Sequence, residues 1–66
     1  MTEQEAKKYV GMQNVAPDDL VINKKPWKLE GTYLTRGEAM GSAGMISGYK
    51  LFKYFNGYAL YERRWD

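Results

Sequence analysis

The sequence predicts a small α+β domain, and three local patterns support this fold class. In two places a threonine is followed three residues later by a glutamate, which is the spacing of a helix capping box. Residues 27–34 alternate apolar and polar side chains, as a half-buried strand does. Asn56-Gly57 lies between two aromatic-rich runs, which is a strong signal for a chain reversal. The threonine and glutamate pairs are Thr2 with Glu5 and Thr35 with Glu38.

The composition limits how this domain can be stabilised. A chain of 66 residues forms one small domain that buries only about 60% of its unfolded surface, so its stability is marginal without help. The sequence contains no Cys and no His, which excludes disulfides and any zinc site built on those ligands. Ten aromatic side chains must therefore supply much of the core, unless a partner surface takes some of them. We expect no metal and no cofactor.

The charge is uneven along the chain. Residues 1–22 carry two basic and four acidic side chains, whereas residues 23–66 carry eight basic and four acidic ones. The aromatic part is thus the basic part, which suits a polyanionic partner but equally suits a solvated face. The polar, acidic N-terminus does not resemble a secretory signal or transit peptide, and no apolar run is long enough to span a membrane. We expect a cytoplasmic protein.

The N-terminal part, residues 1–26, is predicted to hold a helix and a connector. A short helix over residues 2–13 would place Ala6, Tyr9, Val10 and Gln13 on one face. Residues 14–26 follow as a connector, in which Pro17 and the two acids after it suggest a turn or a second short helical turn and the apolar residues 20–22 form a buried anchor.

The second part, residues 27–66, begins with the strand over residues 27–34, which has a possible bulge at Gly31. Thr35 then caps a helix that runs through Ala43 and as far as about Met45, with Glu38 completing the capping box. Glycines in this helix each cost about 1 kcal/mol relative to alanine, so packing must hold it in place. Small residues there also permit close approach of another element.

Two structures are open for residues 47–63. Ser47 can cap a second helix over residues 47–55, which Asn56-Gly57 would end before a strand. Alternatively, residues 49–55 are a strand and Asn56-Gly57 forms a two-residue hairpin, which would pair Phe52 with Tyr61 and Tyr54 with Ala59. The capping and the spacing slightly favour the helix, and the aromatic content favours the hairpin.

No set of residues indicates an enzyme. Without His or Cys, the remaining reactive groups are carboxylates, lysines, tyrosines and serines, and the adjacent acids at 18 and 19 are typical of a helix start. The glycines between residues 37 and 48 match neither a dinucleotide-binding nor a phosphate-binding loop. We therefore expect a non-enzymatic protein that takes no small-molecule substrate.

Residues 33–65 contain a set of short motifs: Leu34-Thr35, Glu38-Ala39, Gly44-Met45, Leu51-Phe52-Lys53 and residues 56–61. Together these resemble the winged helix-turn-helix DNA-binding domains of the excisionase and MerR families, with residues 56–61 as the wing strand. This resemblance implies a small accessory or regulatory protein that binds double-stranded DNA. Its second helix would enter the major groove with its N-terminal residues at the base edges.

The resemblance also implies which side chains would contact DNA. Basic residues would meet phosphates or guanines, and Tyr49 is the best candidate to read bases. The nucleic-acid-binding set is Ser47, Tyr49, Lys50, Lys53, Arg63 and Arg64. The same residues also fit a solvated basic face over an aromatic core.

A second interpretation is a protein–protein interaction module or a small subunit of a larger assembly, with a membrane-associated assembly as one alternative. Gly37, Gly41, Gly44 and Gly48 form overlapping small-xxx-small spacings, which let helices approach closely. Exposed tyrosine and tryptophan side chains could anchor a protein partner.

Overall fold

The computed structural model describes residues 1–63 and has an α+β fold, as the sequence predicts. Four antiparallel strands form one sheet in the order β1-β2-β4-β3, so the last strand in the chain lies between β2 and β3. The elements in chain order are α1 (Glu3–Gly11), β1 (Asp19–Ile22), β2 (Lys25–Tyr33), α2 (Arg36–Ala43), β3 (Tyr49–Tyr54) and β4 (Gly57–Arg63).

Helix α1 begins where its capping box predicts. The Thr2 hydroxyl accepts from the Glu5 N–H, and the Glu5 carboxylate accepts from the Thr2 N–H at 2.7 Å. These bonds satisfy free donors of the first turn, and the Thr2 N–H donated to the carboxylate holds the pKa of Glu5 below its usual value. Ala6 and Val10, four residues apart on one face, are fully buried. The helix therefore covers one face of the sheet.

The sheet is buried on both faces, but unequally. On the α1 face, the main core combines α1 with apolar residues from the sheet and from the segment before β1. On the opposite face, α2 packs Ala39 and Ala43 over β2 and β4, where Leu60 is fully buried. The main core consists of Ala6, Val10, Ala16, Leu20, Ile22, Phe52, Tyr54, Ala59 and Tyr61, with Trp27 and Leu29 packed against it.

The predicted connector over residues 14–26 is wrong in its second half, which forms β1 and the start of β2. Asn23 and Lys24 both adopt positive φ, at 52° and 66°, and make a two-residue turn between paired Ile22 and Lys25. Positive φ at both central positions defines the hairpin turn that matches the twist of paired strands. Leu20 and Ile22 are buried as predicted, whereas Val21 between them is about half exposed. This alternation is that of a strand with one buried face.

Strand β2 and helix α2 lie close to their predicted bounds. The pairing of β2 with β4 shifts between Leu29 and Gly31, so Glu30 is the extra residue of a bulge. At the start of α2, the Thr35 hydroxyl accepts from the Glu38 N–H at 3.2 Å and also donates to the Glu38 carboxylate. Both predicted capping residues therefore act at this helix end. Met45 lies beyond the helix and is 88% exposed.

Residues 49–54 form β3, so the second helix predicted over residues 47–55 is wrong and the hairpin is right. Phe52 and Tyr54 are buried while Lys53 between them is exposed, which is the two-residue period of a strand. Ser47 caps no helix and lies exposed before β3. The aromatic content, which favours pairing across strands, outweighs the capping signal because β4 offers a partner along the whole segment.

The hairpin differs from the predicted one in register. Tyr54 pairs with Gly57, so the two-residue loop is Phe55-Asn56 rather than Asn56-Gly57, and Phe52 lies opposite Ala59. Gly57 is the first residue of β4, with φ at +149°. A Cβ atom at Gly57 would lie 2.2 Å from the Tyr33 carbonyl oxygen. Glycine is required there because β4 passes against the end of β2, in addition to its role next to a turn.

Candidate interaction surfaces

Two residues of the predicted nucleic-acid set lie against the same aromatic ring. Lys50 Nζ lies 5.0 Å and Arg63 Cζ 5.9 Å from the centroid of the Trp27 ring, both within cation–π range. Lys50 also pairs with Glu3 of α1, and Arg63 Nη1 donates to the Pro26 carbonyl at 2.9 Å. Both cations therefore take part in the packing around Trp27.

The remaining predicted residues lie elsewhere. Side chains alternate between the two faces of a sheet along a strand. Tyr49 and Lys53 lie one and three positions from Lys50 along β3, so they lie on the face opposite Lys50, which is the α2 side of the sheet. The Tyr49 hydroxyl lies 3.9 Å from the Met40 sulfur. Arg64 lies outside the described residues. Lys50 and Lys53 consequently face opposite sides of the sheet.

The strand at residues 49–54 also bears on the mode of DNA binding. A helix-turn-helix domain places its second helix in the major groove. Among residues 1–63 no helix follows α2, so the described part of the chain offers no recognition helix. The base-reading role expected of Ser47 and Tyr49 at such a helix start has no structural basis there.

A surface that the sequence did not indicate lies at the end of the sheet where β2 and β3 stop and β4 begins. We call it the apolar tip and define it as Met12, Val15, Leu34 and Phe55. Their side chains are 72–79% exposed. Each lies in a segment that links helices and strands, so the four project from chain reversals rather than from one element.

Hydrogen bonds hold the segments of the apolar tip together. The Phe55 N–H donates to the Gln13 carbonyl at 3.3 Å, and the Asn56 side-chain amide donates to the Asn14 carbonyl at 2.8 Å. These bonds join the β3–β4 turn to the loop after α1. Leu34 adjoins the same turn, because a Cβ atom on Gly57 would lie 3.3 Å from the Leu34 Cα. The tip is therefore a surface fixed by the fold.

Charged side chains of both signs flank the apolar tip. All three are exposed, and none forms an ion pair with another residue of the described range. The positive residues are Arg36 and Lys53, two positions from Leu34 and Phe55 respectively, and the negative one is Glu38, whose carboxylate accepts from the hydroxyl of Thr35 next to Leu34. A partner surface could therefore pair with charges of either sign.

The strongest electrostatic perturbation in the fold is structural. The Tyr61 side chain is fully buried, and its hydroxyl donates to the Pro17 carbonyl at 2.7 Å. Burial raises the pKa of this phenol, and the nearby charge of Asp18 raises it further. The phenol therefore stays protonated and fixes the loop before β1 to the sheet.

Two of the four glycines that suggested close helix packing, Gly37 and Gly41, are not used for packing within the described fold. A Cβ atom on Gly37 or Gly41 would have no described neighbour within 4 Å, whereas Ala39 and Ala43 make the contact with the sheet.

In residues 1–63, no helix has the length and apolar character needed to cross a membrane. No protein-family model, curated protein or solved structure matches the chain.

Proposed function

We propose that this protein is a non-enzymatic protein-interaction module that docks through the apolar tip. The observation that supports this proposal is the exposure of four large apolar side chains, each above 70%, on loops that hydrogen bonds hold together. Apolar residues scattered singly over a surface are ordinary, but a contiguous group rimmed by charges is typical of an interaction site.

The distribution of apolar side chains supports the same function. Five of the twelve buried residues in the described range are alanines, while Met12, Leu34 and Phe55 are exposed. Burying large side chains would stabilise so small a domain far more than burying alanines does. The chain therefore keeps several of its large apolar side chains on a surface where a partner can bury them.

Selection from a random peptide library, with the protein immobilised at low density, tests this proposal. The wild-type chain should enrich peptides with apolar centres, and Phe55→Asp and Leu34→Asp should abolish their binding. Met45→Asp is the matched control, because Met45 is even more exposed but lies in the loop at the opposite end of α2. Peptides that bind all three variants equally well would contradict docking through the tip.

A second candidate function is binding of double-stranded DNA, and a cluster of basic residues supports it. The half of the sheet away from the tip carries five basic residues, which we call the basic end: Lys24, Lys25, Lys28, Lys50 and Arg63. Lys24 and Lys25 are exposed at the β1–β2 turn, whereas Lys50 pairs with Glu3 and Lys28 lies opposite Asp19 and Glu62 in the strand register. Without a recognition helix, these residues would contact phosphates rather than base edges. Binding would then depend strongly on salt and weakly on sequence.

A salt titration against random duplex DNA tests this second candidate. Affinity should fall steeply with salt, and Lys24→Ala/Lys25→Ala should reduce the log–log slope by about 0.9 for each lost phosphate contact. Lys53→Ala is the control, because Lys53 is also exposed but lies near the apolar tip. No measurable affinity at about 50 mM salt, where phosphate contacts are strong, would exclude DNA as a partner.

A further inference from the structure

We propose that Asn56 is a site of spontaneous chemical modification, and that its conversion to aspartate or isoaspartate releases the β3–β4 turn from the loop after α1. The reaction is independent of the proposed function, because it needs no partner and depends only on Asn56, Gly57 and the contacts of the turn. It would change the covalent structure of the chain at one position and would not reverse.

The reaction uses two adjacent residues and water. The Gly57 backbone nitrogen bonds to the side-chain carbonyl carbon of Asn56, Cγ, and gives up its proton. The bond from Cγ to Nδ2 breaks, and Nδ2 takes up a proton and leaves as ammonia. Water then opens the resulting five-membered succinimide ring by adding its hydroxyl to one of the two ring carbonyl carbons, and a proton returns to the Gly57 nitrogen. Opening at Cγ gives aspartate, and opening at the backbone carbonyl carbon gives isoaspartate.

Among the asparagines of the chain, Asn56 is the one best placed for ring closure. All three asparagines are exposed, so water reaches each of them. A side chain on the following residue obstructs the approach of its backbone nitrogen, whereas glycine leaves the approach open and lets the chain rotate. Glycine follows only Asn56, whereas Val15 follows Asn14 and Lys24 follows Asn23.

The fold slows this reaction without preventing it. The Asn56 side-chain amide donates to the Asn14 carbonyl at 2.8 Å, and Gly57 pairs with Tyr54 at the start of β4. Both groups must be released before the Gly57 nitrogen can reach Cγ of Asn56. Conversion should therefore proceed through local opening of the turn, and more slowly than in the unfolded chain.

Neither product can restore the contacts of the turn. In aspartate an oxygen replaces the Nδ2 donor, so two acceptors would face each other at the Asn14 carbonyl. Isoaspartate adds a methylene to the backbone just before Gly57, where even a Cβ atom would lie 2.2 Å from the Tyr33 carbonyl oxygen. Conversion therefore removes the shorter of the two hydrogen bonds that join the turn to the loop after α1.

Incubation of the full chain in mildly alkaline buffer, followed by trypsin digestion and mass spectrometry, tests the site. Trypsin releases residues 54–63, which contain only Asn56, and residues 9–24, which contain the other two asparagines. We expect conversion in residues 54–63 and none in residues 9–24. A parallel incubation in denaturing urea should convert residues 54–63 faster, and an unincubated sample corrects for conversion during digestion. Asn56→Gln should stay unconverted, because its longer side chain would have to close a six-membered ring.

Asn56→Asp supplies one product directly and tests the structural consequence. It should lower the midpoint of urea denaturation and speed hydrogen exchange at the Phe55 amide, which donates to Gln13 in the same contact. Asn23→Asp is the matched control, because it makes the same exchange at another exposed turn and should change neither measurement.

Two results would overturn the inference. Residues 54–63 that stay unconverted in the folded chain, whatever happens in urea, would show that the folded protein does not modify itself. Equal midpoints and equal exchange rates for the wild type and Asn56→Asp would show that conversion does not release the turn. Neither result bears on the peptide selection, so the proposed interaction function stands or falls separately.

Discussion

Gly57 and Gly41 differ only in their surroundings, and these predict opposite effects of the same substitution. Gly57 has φ at +149° and no room for a Cβ atom beside the Tyr33 carbonyl. Gly41 lies in α2, and a Cβ atom there would have no described neighbour within 4 Å. The effect of substituting each glycine therefore depends on its surroundings. Gly57 lies against a residue that is remote in sequence, whereas a side chain at Gly41 would meet no neighbour within the described range.

We expect Gly57→Ala to lower the free energy of unfolding by at least about 2 kcal/mol, and Gly57→Val to lower it further, because both force β4 away from β2. Gly41→Ala should raise it by about 0.5–1 kcal/mol, because alanine restricts the unfolded chain and favours the helix. Urea denaturation followed by circular dichroism measures both. Equal effects at the two positions would contradict the close approach at Gly57.

Tyr61 predicts a dependence of stability on alkaline pH. The folded state raises the pKa of this phenol above that of the unfolded chain, which is about 10. Below about pH 9 both states are protonated and the stabilisation is fully present. Above about pH 10 only the unfolded chain loses the proton, so stability should fall by about 1.4 kcal/mol per pH unit.

Tyr61→Phe tests this dependence. It removes the hydrogen bond to Pro17 and should cost about 1–2 kcal/mol near neutral pH. Above pH 10, the free energy of unfolding of this variant should fall less steeply with pH than that of the wild type, because unfolding releases one proton fewer. Urea denaturation at several pH values between 8 and 11 measures both effects. The same slope in wild type and variant would show that Tyr61 does not titrate differently on folding.

Among the elements, the β1–β2 hairpin shows why a turn can be missed in a sequence. Its turn uses Asn23 and Lys24, both at positive φ, whereas the familiar signal is Asn followed by Gly. Lysine lacks the conformational freedom of glycine, so the dipeptide Asn23-Lys24 does not predict a turn. The pairing of β1 with β2 holds Lys24 in this conformation.

We expect Lys24→Gly to raise the free energy of unfolding by about 0.5–1 kcal/mol, because glycine adopts positive φ without steric cost. Lys24→Ala is the control and should change stability little, since alanine has the same restriction as lysine. Thermal denaturation measures both. A loss of stability in Lys24→Gly would show that the lysine side chain contributes more than its backbone strain costs.

At the scale of the whole molecule, the sheet separates two unequal cores. Leu60 is the large side chain buried with Ala39 and Ala43 of α2, so it connects that helix to the sheet. Leu34 has the same side chain but is 79% exposed at the apolar tip. Substitutions at these two leucines therefore distinguish the effect of a buried core side chain from that of an exposed one.

We expect Leu60→Ala to lower the free energy of unfolding by about 2–5 kcal/mol, which is much of the total for a domain of this size. Leu34→Ala should change it by less than about 0.5 kcal/mol when the chain is dilute and monomeric. Urea denaturation at low protein concentration tests both. A small effect of Leu60→Ala would mean that α2 contributes little to the cooperative fold.

Local patterns predicted the parts of the fold that depend on neighbouring residues. The capping residues of both helices, the strand beginning near Trp27 and its bulge near Gly31 follow from spacing and alternation. The candidate site was less predictable. Lys50 and Arg63 meet at Trp27, and Phe55 meets the loop after α1, only because segments distant in sequence are brought together.

The sequence by itself determined the α+β class, the two helix starts and the alternation along β2, because these follow from hydrogen bonding and periodicity within a few residues. It could not determine the register of β3 on β4. Pairing Phe52 with Tyr61 or with Ala59 buries the same side chains, since the two registers differ by two residues. Only the tertiary structure decides between them, because Gly57 must pass against the Tyr33 carbonyl of a third strand. The same contact places the β3–β4 turn beside Leu34 and so creates the apolar tip.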